Sequence, residues 1–198
     1  MLVDIDLLAS YGGVTENYSP SQFVFEEGSK PKYYYQIVSG TVKLNHTDED
    51  AKELIQSILN NGQSVCELLL FIEEIYPVNA VAISECSIIK VPKTNFLRLL
   101  EENRQSDVDV RRYIAERLYH KFIMMQNNAS KHPHIRIKGI LTYFKSFSED
   151  QSPYSYEVPL TRQQLAAITG LRIETVIRSV KKMEAANLLK IINRKIFF

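Results

Sequence analysis

From Arg172 to Met183 the sequence sorts its side chains onto two sides of a helix. Val176, Val180 and Met183 recur at i, i+4 and i+7 and mark an inward face, which leaves Ile173, Glu174, Ile177, Arg178 and Lys181 pointing outward. That outer row is suited to recognition rather than bond breaking. An arginine can donate two hydrogen bonds to O6 and N7 of guanine, a glutamate can accept from N4 of cytosine, and an isoleucine can pack on a thymine methyl. The competing reading of Glu174 and Arg178 is a routine surface ion pair at i,i+4 spacing, worth about a few tenths of a kcal/mol.

Such a row acts only if neighbouring elements hold it at a surface. Upstream, Thr161 followed by Gln164 fits a capping box, Leu165, Ala166 and Ile168 share a face behind it, and Gly170 permits the sharp turn between two helices. Downstream, Leu188 to Phe198 predicts two short strands around Asn193-Arg194-Lys195, a hairpin whose basic tip can meet phosphate. The chain shows no nucleophile elbow, phosphate-cradling glycine loop or HExxH motif, so an enzyme is the weakest reading. A signalling or interaction module that shares the architecture without reading DNA is the alternative.

Charge is segregated along the 198 residues, although the formal net charge is only +1. Residues 1–105 hold 8 Lys/Arg against 15 Asp/Glu, residues 106–131 hold 5 against 3, and residues 132–198 hold 11 against 5. Phosphate is repelled by the first segment and attracted by the last, which places a nucleic-acid partner at the carboxy-terminal end. The first residues are acidic where a signal peptide needs a basic region, and no apolar run approaches a membrane span, so a cytoplasmic protein without a membrane partner is expected. Cys66 and Cys86 are too few for a disulfide framework and have no zinc-ligand spacing, so no metal site is expected.

Ahead of the basic segment, short apolar runs separated by turn residues predict strands at Phe23-Val-Phe, Tyr33 to Val38, Thr41 to Leu44, Leu54 to Ile58, Val81 to Ile83 and Ser87 to Val91. The turns between them include Ser39-Gly40, Asp48-Glu49-Asp50 and Asn61-Gly62. A short helix from Lys93 to Glu101 leads to a long one beginning near Ser106, with Ser106 and Asp107 as caps. Val110, Ile114, Leu118, Phe122 and Met125 form its apolar stripe. At about 1.5 Å per residue this helix is longer than a small domain needs, so a second copy of the chain is its expected partner. Lys131-His132-Pro133-His134 breaks the pattern as a hinge. Helical spacing then resumes from Arg136 to Phe147 and ends in the polar stretch Ser148 to Pro153. The predicted domains are 1–105 (β-rich sensor), 106–131 (dimerisation helix) and 132–198 (DNA-binding).

The run from Thr161 to Val180, with Glu174-Thr175-Val176-Ile177-Arg178 as its most specific piece, resembles the helix-turn-helix of the Crp/Fnr superfamily. Gly28, Ser39-Gly40-Thr41-Val42-Lys43, Asn61-Gly62 and Glu67-Leu68 match that family's β domain, so the likeness covers nearly the whole chain. The resemblance implies an α+β fold: a cyclic-nucleotide-binding-type β-roll (jelly-roll-like), a long dimerisation helix and a winged helix-turn-helix. It implies a homodimeric regulator of transcription on double-stranded DNA, with RNA polymerase as a further partner. Glu174 and Arg178 would read bases, Ile173 and Ile177 would occupy variable recognition positions, and Arg162 and Thr175 would touch phosphate. Thr161, Arg172, Lys181, Arg194 and Lys195 complete the expected phosphate-facing set.

The chain departs from the family where cyclic-nucleotide binders hold their ligand. Glu67, which would take the ribose hydroxyl, is present, but Cys66 stands where the family has glycine, and no lysine or arginine occurs from Gln56 to Ile89. A buried phosphate without a cation carries a desolvation cost of several kcal/mol. Cyclic AMP is therefore not the expected effector. Two cysteines cannot supply an iron–sulfur cluster with four thiolates, and nothing in the spacing of Cys66, His46 and His120 favours haem. Cys66, Glu67, Leu68, Leu69, Tyr76 and Asn79 are the effector-pocket candidates, with an apolar or neutral ligand, a partner protein or no effector all left open.

Overall fold

The computed structural model describes residues 2–49, 53–146, 148 and 150–198. The parts of the expected turn and helix end that fall on Asp50, Phe147 and Glu149 lie outside the described residues. Two compact units divide within one long helix, at residues 1–116 and 117–198.

The first unit begins with α1 (Ile5–Ser10), capped by Asp4, whose carboxylate accepts from the Leu7 amide. Seven strands follow: β1 (Val14–Tyr18), β2 (Phe23–Phe25), β3 (Tyr33–Ser39), β4 (Val42–Thr47), β5 (Glu53–Leu59), β6 (Asn79–Ala82) and β7 (Cys86–Pro92). They pair antiparallel as two sheets, β1-β7-β3 and β2-β6-β4-β5. Between the sheets lies a core of Phe25, Tyr35, Ile37, Leu44, Leu69, Tyr76 and their neighbours. Gly40 turns β3 into β4 at φ +101°, and a Cβ there would sit 2.4 Å from the Glu85 carbonyl, so only glycine fits. The unbroken apolar run of β3 is explained by burial on both faces. Tyr35 and Ile37 enter the inter-sheet core, while Tyr34 enters a second core with α1 and with α2 (Lys93–Glu102), where it stacks on Phe96 at 3.8 Å.

The helix α3 (Arg104–Asn128) starts two residues before the expected position. Ser106 and Asp107 are not its caps. They lie in its first turn, where the Asp107 amide donates to the Asn103 carbonyl and its carboxylate pairs with Arg111. The expected stripe also divides. Val110 is fully buried and Ile114 half-buried against the second core of the first unit, so neither is free for a partner helix. Leu118, Phe122 and Met125 are 53%, 56% and 64% exposed. The reason is angular: with 3.6 residues per turn, Val110 lies roughly 90° around the helix from the centre of that exposed group.

In the second unit α4 (Pro133–Lys145), α5 (Arg162–Thr169) and α6 (Ile173–Ala185) pack together, and β8 (Lys190–Ile192) pairs with β9 (Lys195–Phe197). Ile137, Ile140, Leu141, Leu165, Ile168, Val176, Val180, Leu189 and Ile196 are buried in this unit. Pro133 opens α4 at its first position, where a missing amide proton costs nothing. A Cβ on Gly139 would lie 2.5 Å from Asn127, so α4 approaches the end of α3 as closely as a glycine allows.

Candidate nucleic-acid interface and effector region

Local chemistry fixes the first helix of the motif. The Thr161 hydroxyl accepts from the Gln164 amide at 3.1 Å, while Gln164 Oε1 accepts from the Thr161 amide at 2.8 Å, closing a reciprocal box. The Thr161 hydroxyl proton is not used in that bond and stays available to an acceptor. Gly170 adopts φ +65° and ends α5, and α6 starts two residues after Leu171. On α6, Val176, Ser179, Val180 and Met183 are buried. Ile173, Glu174, Ile177, Arg178 and Lys181 are exposed on the opposite side, and Thr175 is half-buried between the faces. Among the described residues no ion pair or hydrogen bond joins Glu174 to Arg178, so both keep their full recognition capacity.

The remaining cations differ in availability. Arg172 and Arg194 are exposed. Arg162 is half-buried, and burial pulls its guanidinium pKa down while Glu184 nearby pulls it back up; the group stays cationic. Asn193 and Arg194 both have positive φ (50° and 66°), the backbone of a tight two-residue hairpin turn that aims the tip outward. Lys195, expected to be free at that tip, is instead paired with Glu157 at 2.5 Å. Glu157 gives no signal in the sequence, since its partner lies 38 residues away on a neighbouring strand.

Of the six effector-pocket candidates, Cys66, Leu69 and Tyr76 share the inter-sheet core. Cys66 sits in the left-handed region at φ 54°, the backbone that a glycine adopts freely and a cysteine holds at a cost of about 1–2 kcal/mol. Glu67 opens the 3-10 turn Glu67–Phe71, is buried, and accepts from the Ser64 hydroxyl at 2.6 Å. Leu69 and Tyr76 belong to the inter-sheet core, where Tyr76 stacks on Phe25 at 3.6 Å and burial raises its hydroxyl pKa. Leu68 is exposed and does not belong to that core. Asn79 accepts from the Glu27 amide at 2.9 Å. Among the described residues no group of three or more His, Cys, Asp or Glu could hold a metal ion, and no helix is long and apolar enough to cross a membrane.

The first unit is a two-sheet roll that leads into a long helix, and the second is a helix-turn-helix with a two-stranded wing, the fold of the DNA-binding regulators that the chain resembles. The family model described as Cyclic nucleotide-binding domain matches residues 15–103, and the one described as Crp-like helix-turn-helix domain matches residues 116–198. The chain is 30% identical over 175 residues to the cAMP-activated global transcriptional regulator CRP of Salmonella typhimurium, covering 87% of this chain and 83% of that protein. It is 26% identical to the corresponding regulator of Pasteurella multocida, with the same two coverages. The chain belongs to the Crp/Fnr family, whose members are transcription regulators rather than enzymes. Its fold is shared with a mutant of CooA from Carboxydothermus hydrogenoformans (TM-score 0.80, 16% identity, 98% of this chain and 85% of that one). FixK2 from Bradyrhizobium japonicum is similar as well (TM-score 0.77, 19% identity, 94% and 92%).

Proposed function

We propose that the chain regulates transcription as a homodimer that reads a pseudo-palindromic operator through α6 and takes no instruction from cyclic AMP. The observation that carries the DNA reading is the exposed row Ile173, Glu174, Ile177 and Arg178. Among the described residues neither the acid nor the arginine of that row has a partner, and the other face of the helix is locked in a core. Thr161, Arg162, Arg172, Thr175, Lys181 and Arg194 are the hydroxyls and cations that would fix its register by bonding phosphate. Arg178→Ala is expected to weaken operator binding by about 1–3 kcal/mol, about fivefold to over a hundredfold, and to relax the preference at one base pair. Binding-site selection on randomised duplexes followed by anisotropy titration measures both effects. Equal losses on selected and mixed-sequence DNA would count against base readout.

The dimer reading rests on α3. Val108, Ala115 and Phe122 are spaced seven apart, as are Leu118 and Met125, and all five are exposed. That is the a/d spacing of a two-stranded coiled coil, and a two-fold axis along it would set two copies of α6 on half-sites about one DNA turn apart. Independence from cyclic AMP is supported by three features of the roll. A cysteine side chain stands at the left-handed position, the Tyr76–Phe25 stack fills space between the sheets, and Glu67 is already bonded to Ser64. Isothermal titration with cyclic AMP is expected to show no saturable heat at concentrations up to about 1 mM, the range of a binding free energy near 4 kcal/mol. Saturable binding in the micromolar range would overturn this part of the proposal and leave the DNA reading intact.

A further inference from the structure

The geometry points to Glu157 as an affinity-limiting residue of the DNA interface, which holds Lys195 away from phosphate and so lowers affinity for DNA of any sequence. This inference rests on the DNA reading proposed above for α6 and the wing.

The segment around Glu157 lies antiparallel beside β9. The Tyr156 amide donates to the Phe198 carbonyl at 3.2 Å, the Phe198 amide returns a bond at 3.0 Å, and the Val158 amide donates to the Ile196 carbonyl at 2.8 Å. Glu157 thereby faces Phe197 across the pair. Side chains two residues apart share a face of a strand, so Glu157 reaches diagonally to Lys195, the distance at which long side chains meet. The pair forms at the water boundary, with 60% of the lysine and 47% of the glutamate side chain exposed. Its contribution to stability is accordingly small, about 0–1 kcal/mol. Its effect on charge is larger. The groove between the wing and the start of α5 is lined by the Thr161 hydroxyl and by Arg162, Arg194 and Lys195, a set suited to a phosphate, and Glu157 is the one carboxylate among its lining residues.

A cation withheld from phosphate releases no counterion, so each such cation removes about one counterion's share from both affinity and salt dependence. Base contacts by α6 are untouched, because Lys195 lies on the wing and Glu157 on the segment paired beside it. The consequence is a lower absolute affinity and a shallower salt dependence for operator and non-operator DNA alike, with the ratio between them left to α6.

The test is an anisotropy titration of wild type, E157Q, K195A and the double variant against a short fluorescein-labelled duplex of mixed sequence, over about 50–200 mM salt. Thermal melts of all four chains check that they fold alike. E157Q is expected to bind about threefold to tenfold more tightly at low salt, with a log–log salt slope steeper by about one. K195A alone should change affinity less than about twofold, and adding it to E157Q should return binding to near the wild-type curve. An unchanged slope in E157Q would overturn the role of Glu157. So would a gain that survives in the double variant, since the carboxylate would then act on the DNA without Lys195. If wild type shows no salt-dependent binding to any duplex, the DNA reading itself fails, and the inference with it.

Discussion

A chain carrying Leu118→Glu and Phe122→Glu together is expected to sediment as a folded monomer and to lose operator affinity by about a hundredfold to ten-thousandfold. Both side chains are more than half exposed, so neither holds its own unit together, and the melting curve should barely move. In a dimer their environment reverses. Each apolar side chain buried along the seam contributes about 1.5–3 kcal/mol, and two-fold symmetry doubles the sum. Four introduced carboxylates would then face each other across the seam, adding repulsion and desolvation to the lost burial. The functional loss follows from linkage. Once one half-site is bound, the second α6 of a dimer binds as an intramolecular partner, and a monomer forfeits that effective concentration. Sedimentation velocity and operator titration read the two effects separately. A double variant that still sediments as a dimer would remove α3 from the interface.

Phe96→Ala is expected to destabilise the first unit by about 3–5 kcal/mol, the range for emptying a closed aromatic site. Phe96 is fully buried beneath β3, with its ring flat on Tyr34. Tyr34 in turn donates to Gln36 at 2.8 Å, and Gln36 clamps Val3 by accepting from its amide at 2.9 Å and donating to its carbonyl at 2.7 Å. The site therefore joins α1, α2, β3 and, through Val110, the first turns of α3. A void there has little freedom to collapse, because its walls belong to four elements held by one another. Urea unfolding should show a lowered midpoint at an unchanged slope. A loss under about 1.5 kcal/mol would mean that the site closes up after all.

What could be read from the sequence was whatever is encoded locally. The capping box at Thr161, the left-handed Gly170 and the inward spacing of Val176, Val180 and Met183 are all settled within a few residues of chain, and the structure places each as the pattern predicts. The central strands were legible for the same reason. β1 was not, because Val14-Thr15-Glu16-Asn17-Tyr18 lies at a sheet edge with no apolar alternation and is fixed by pairing with β7, about seventy residues later. It is also tied by the ion pair of Glu16 with Lys90, another distant contact. On α3 the periodicity was visible but its partner was not. A stripe that drifts around a 25-residue helix reads as one face, although its beginning is covered by the chain's own core and its end is bare. Glu157 was invisible because a carboxylate acquires meaning only from the lysine set diagonally across a strand pair. The left-handed backbone at Cys66 could not be read from a cysteine, and only the family's glycine at that place hinted at it.

The two buried cysteines also give this molecule an intrinsic reporter. Cys66 and Cys86 are the only thiols in the chain, and both are enclosed in the inter-sheet core. A bulky alkylating reagent can reach them only in molecules whose roll has opened. Labelling kinetics therefore time the breathing of the first unit alone, with no engineered probe and with the thiol-free helix-turn-helix silent in the same tube.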